Sequence, residues 1–77
     1  MNSKIFGHVI GLNTHDIIKF NALAGTLGIV CKSKTFKQTD YEIRLDLIMI
    51  DTKTLKCWYC HNMRLDRGTF SIFMRAN

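Results

Sequence analysis

Three segments between Tyr41 and Arg75 alternate like strands yet carry apolar side chains on both faces, while only one stretch of the chain is long enough for a helix. One helix covers one face of a small sheet. The other face then needs strand or loop residues, a second subunit or a different partner to cover it. This surplus, more than any motif, limits what the chain can fold into.

Tyr41 to Ile50 is the clearest strand: Tyr41, Ile43, Leu45, Leu47 and Met49 share one face, and Glu42, Arg44 and Asp46 begin the other before Ile48 and Ile50 take it over. After a short connection at 51–54, Leu55 to Leu65 reads as one long strand. Its alternation places Lys56, Trp58, Cys60, Asn62 and Arg64 together on one face. Asp66, Arg67 and Gly68 turn the chain tightly into a last strand in which Phe70, Ile72 and Met74 alternate with Ser71, Phe73 and Arg75. These three strands are expected to form an antiparallel meander.

Residues 4–12 read as a first strand weakened by Gly7 and Gly11. Asn13 and Thr14 are suitable helix caps, and Asp16 follows Asn13 at the spacing of a helix start. Ile17, Phe20, Ala24 and Leu27 then share a helical face, and Gly28 suits a helix end. A helix over about 15–27 is expected, followed by a strand from Ile29 to Phe36. The expected fold is α+β, one helix packed on a small twisted, mostly antiparallel sheet in the order β-α-β-β-β-β.

A chain of 77 residues makes one domain, 1–77, and at this size folding buries only roughly 60% of the unfolded surface, so association would add stability. No apolar run approaches the roughly 18 residues of a membrane helix, so no membrane partner is expected. Three cysteines, an odd count, fit a reducing compartment better than a disulfide scaffold. The expected location is the cytoplasm, or the host cytoplasm if phage-encoded. Frequent Lys, Asn and Ile with no Pro are compatible with an AT-rich bacterial or phage genome.

Cys57 and Cys60 with His61 are zinc-type ligands, but on a straight strand the two sulfurs point to opposite faces, so no metal or other cofactor is expected. His8, His15, and His61 beside Tyr59 are conceivable acids or bases, yet no nucleophile elbow, metal-carboxylate motif or phosphate loop accompanies them, and no enzyme is expected. The surplus face points instead to a small regulatory or inhibitory protein that binds another protein and self-associates as a homodimer or other homo-oligomer. Its expected interface is Ile48, Ile50, Trp58 and Phe73, rimmed by Arg44, Lys56, Arg64 and Arg75. The alternative follows from the net charge of +5. In it Lys32, Lys34, Lys37, Lys53 and Lys56 meet the phosphates of a nucleic acid and Trp58 stacks on a base.

Overall fold

The segment expected to be helical forms the first β-hairpin. In the computed structural model, which describes residues 11–34, 36–39 and 42–76, β1 spans Ile17–Phe20 and β2 spans Thr26–Cys31, paired antiparallel with Ile18 opposite Gly28. No helix occurs among the described residues. The α+β expectation is therefore corrected to an all-β fold, a curled antiparallel half-barrel.

Local chemistry explains the reversal. Asp16 does reach back to Asn13, its Oδ2 accepting the Asn13 N–H at 2.8 Å while its own N–H donates to the Asn13 carbonyl at 3.0 Å. That reciprocal pair closes a turn rather than starting a helix, because His15 takes a left-handed φ of 77° between them. Beyond it, the β-branched Ile17 and Ile18 favour a strand, and Gly25 at φ 86° reverses the chain. Gly28 is a mid-strand residue rather than a helix end. A Cβ there would lie 3.2 Å from the Phe20 ring, so the missing side chain is what lets that ring fold over the hairpin.

Four further strands complete the sheet: β3 Lys37–Gln38, β4 Ile43–Asp51, β5 Lys56–Leu65 and β6 Phe70–Met74. β4 pairs with β5 along one edge, and with β2 and then β3 along the other. β2 ends at Cys31 opposite Asp46 and β3 begins at Lys37 opposite Arg44, so the two lie along the same edge of β4 as pieces of one broken strand. The expected strand Ile29–Phe36 is corrected accordingly. β6 pairs with β1, not with β5, so the expected three-stranded meander is also corrected. Residues 4–10 of the expected first strand lie outside the described residues; Gly11 and Leu12 are not in a strand.

Residues 66–69 join β5 and β6, which lie at opposite edges of the sheet. Five peptide steps span at most about 17 Å. The sheet must therefore coil until the end of β5 comes near the start of β6, which gives the half-barrel its curl. Ile18, Phe20, Val30, Ile43, Leu45, Leu47, Met49, Leu65 and Phe70 fill the concave side, with Leu12 closing it. The β4 alternation places its inward residues as the sequence pattern predicts.

A charged anchor holds the strand ends. Asp16 is fully buried, and its carboxylate accepts the N–H of Ala76 at 2.8 Å and faces Arg75 Nη1 at 3.2 Å. Burial alone would push this carboxyl up, but the N–H groups of Ala76 and Asn13 and the Arg75 guanidinium together hold it below the usual range.

Candidate interaction surface

Partners that stand directly opposite one another in a sheet point to the same face, so the registers map the outer surface. One row runs Met74, Ile17, Ile29, Ile48, Tyr59 across β6, β1, β2, β4 and β5. A second row carries Leu27, Ile50 and Cys57. Ile48, Tyr59 and Met74 are 38%, 58% and 57% exposed, and Ile17, Leu27, Ile29 and Ile50 are partly so. With neighbouring strands about 4.8 Å apart, the first row is about 20 Å wide. The apolar surplus is thus a convex stripe, and no second layer covers it among the described residues.

A β-bulge decides which aromatic residue joins the stripe. Leu45 pairs with Met63 and Leu47 with Cys60, so Asp46 alone stands opposite both His61 and Asn62. Asn62 absorbs the extra residue at φ 51°, a conformation Asn tolerates well. The inserted residue shifts the alternation: Trp58 and Cys60 fall on the concave side with Met49 and Leu47, whereas Tyr59 and Cys57 face outward.

Asp46, 4% exposed on this outer side, is the hub that fixes the bulge. The Tyr59 hydroxyl donates to its Oδ2, the Asn62 N–H donates to Oδ1 at 2.7 Å, and His61 Nδ1 lies 3.1 Å from Oδ1. The Tyr59 bond first, then the Asn62 N–H and His61, hold this carboxyl well below the usual carboxylate range. In return, the Asp46 bond, with some burial, pushes the Tyr59 phenol up to about 12. The Tyr59 and His61 rings stack at 6.5 Å with 24° between their planes. The result is a preset aromatic edge to the stripe.

The sequence-predicted residues divide among several places. Ile48 and Ile50 lie on the outer face, and Arg44 and Arg64 pair on that face farther along β4 and β5. Trp58 and Lys56 are on the opposite face, so the expected grouping of Trp58 with Arg64 is corrected; the bulge that separates them is invisible to strict alternation. Phe73 sits in a second irregularity, where β6 shifts register against β1 between Ile17 and Ile18. The arginine rim is already engaged: Arg44 with Glu42 at 2.5 Å, Arg64 with Asp66 at 3.4 Å and Arg75 with Asp16.

The basic set also divides. Lys37 pairs with Glu42 at 3.4 Å. Lys53 and Lys56 lie at the β4–β5 hairpin, but Lys32 and Lys34 leave the far end of β2, whose six residues span about 20 Å. Ile17, Leu27, Ile29, Tyr59 and Met74 join the outer face without belonging to the interface expected from the sequence, the first three because their spacing fits a helix and its exit. Their available signal was the β-branched pair Ile17 and Ile18 ahead of a glycine-containing turn.

Among the described residues no His, Cys, Asp and Glu group is placed to hold a metal ion, and no helix is long and apolar enough to cross a membrane. Compared with family models, curated proteins and solved structures, the chain matches none.

Proposed function

We propose that this is a small non-enzymatic binding protein of the cytoplasm, regulatory or inhibitory in role, whose outer sheet face is a protein interface. The occupant we assign to that face is a second copy of the chain. The observation that carries this reading is the five-strand row Met74, Ile17, Ile29, Ile48, Tyr59, an apolar stripe with no covering layer among the described residues.

Charge supports self-association despite the net +5. Lys32 and Lys34 lie beyond the end of β2, and Lys53 and Lys56 lie in the β4–β5 turn or on the concave face. Only Lys19 interrupts the two rows, opposite Leu27. Two copies can therefore meet along the first row, which carries no cation, and Tyr59, held by Asp46, supplies an aromatic anchor of the kind that concentrates binding energy.

Sedimentation of the purified protein over a concentration series tests this, with Ile48→Lys as the disrupting variant. Wild type should form a dimer or higher species, and Ile48→Lys should shift it to monomer while the circular-dichroism spectrum remains that of the folded sheet; the thermal midpoint should fall by the contribution of association and lose its concentration dependence. A monomer at every concentration would contradict the assigned occupant and leave a different protein partner for this face. The nucleic-acid alternative gains no single surface from the fold, because its lysines lie at two ends of the sheet.

A further inference from the structure

Beyond the stripe, two neighbouring turns carry exposed apolar side chains that neither the core nor the outer rows use. The β1–β2 turn, residues 21–25, and the β4–β5 turn, residues 52–55, are fastened together: the Thr52 N–H and hydroxyl both donate to the Gly25 carbonyl, at 2.8 and 2.7 Å. Leu23 projects from the first turn, 51% exposed, and Leu55 from the second, 77% exposed. Leu55 is held at φ 62°, an unfavourable conformation for a residue with a Cβ. Lys53 and Lys56 flank it without an ion pair among the described residues, while the neighbouring Asp51 caps the turn through its Oδ1, which accepts the N–H groups of Lys53 and Thr54 at 2.9 and 3.3 Å. Trp58, 45% exposed, shares the Lys56 face about 7 Å farther along β5.

We propose that this paired-turn tip docks on an anionic phospholipid surface. Leu23 and Leu55 enter the acyl boundary, Trp58 lies at headgroup depth, and Lys53 and Lys56 meet the lipid anions. Single apolar side chains on protruding turns need a matching pocket in a protein partner, whereas a bilayer accepts them without one. An indole beside the tip and lysines around it match the layering of a membrane interface. The chain's net +5 selects anionic over neutral lipid. This inference goes beyond the outer-face interface and uses none of its residues.

The test titrates the full chain with phosphatidylcholine vesicles and with vesicles containing phosphatidylserine, reading cosedimentation and the emission of its one tryptophan, Trp58. The expected result is pelleting with a blue shift on the phosphatidylserine vesicles, weakened by salt. Leu55→Gly combined with Leu23→Asn should lower the partition coefficient at least about tenfold, and Lys53→Gln with Lys56→Gln should do likewise. Leu55→Gly suits the local backbone, so loss of binding in that variant is separable from loss of fold by its melting curve. Ile48→Lys should bind vesicles as wild type does, which keeps this proposal distinct from the outer-face reading. No phosphatidylserine-dependent binding would overturn it, as would unchanged binding by the leucine variant. Saturable binding of a single-stranded oligonucleotide that quenches Trp58 and survives the leucine changes would replace it with a nucleic-acid role.

Discussion

The Tyr59 hydroxyl donates a hydrogen bond across the sheet to the Asp46 carboxylate, and this bond exists because the strand bulges at His61 and Asn62. Without the extra residue, strict alternation would not bring Tyr59, His61 and the Asn62 N–H onto one acid. The same bulge turns Tyr59 outward and Trp58 inward, so one backbone irregularity decides which aromatic side chain edges the stripe.

The bond makes a titration prediction. The Tyr59 phenol is pushed up to about 12 by Asp46, and Asp46→Asn should return its midpoint toward the ordinary value of about 10, read by ultraviolet absorbance. A raised phenol value means that stability from this bond is fully present below the unfolded value and is lost as pH rises through about 12. For Asp46 the sign is opposite: its carboxyl is depressed, so its contribution is present above the unfolded carboxylate value and is lost as pH falls through the lower folded one. Melting curves across acid pH should therefore differ between wild type and Asp46→Asn, with the wild-type advantage shrinking toward the acid end.

Asp16 anchors both chain segments beside it. Asp16→Ala removes the acceptor for the Ala76 and Asn13 N–H groups and leaves Arg75 without its buried partner. The expected cost is about 3 kcal/mol by denaturant unfolding. Arg75→Ala should cost less, because the two backbone donors still satisfy the carboxylate.

Gly28 should resist enlargement. Its missing Cβ would sit 3.2 Å from Phe20 and 3.5 Å from both Ile18 and Leu47. Gly28→Val should destabilise by roughly 1–3 kcal/mol through overpacking, even though valine favours strands. A neutral result in chemical unfolding would show that the Phe20 ring moves aside without loss.

Leu55 should behave in the opposite way. At φ 62° it bears a left-handed strain that glycine does not, and its side chain is 77% exposed. Leu55→Gly is expected to raise stability by about 1 kcal/mol, visible as a higher denaturation midpoint.

Much of β4 and the two turns that flank β5 could be read from the chain because their signals are local. Ile43, Leu45, Leu47 and Met49 alternate without interruption, and Gly68 marks its turn at φ 91°. The β1–β2 hairpin could not be read that way. Ile17, Phe20, Ala24 and Leu27 satisfy a helical spacing, and only long-range pairing of β2 with β4 makes the period-two reading of Ile18, Phe20, Gly28 and Val30 win. The candidate surface was legible as a surplus, and Ile48 and Ile50 were placed on it. Its remaining members depended on the misread hairpin and on the Asn62 bulge, a shift of one residue that leaves no mark in composition.

The most direct test of the outer face as an interface is the relaxation of isoleucine methyl groups by a soluble paramagnetic agent, measured in dilute and in concentrated protein. Ile17, Ile29 and Ile48 lie on the stripe, while Ile18 and Ile43 lie in the core. Stripe methyls should lose their accessibility as concentration rises, whereas the core methyls stay protected throughout and Ile48→Lys abolishes the change. Stripe methyls equally accessible at both concentrations would contradict self-association through this face.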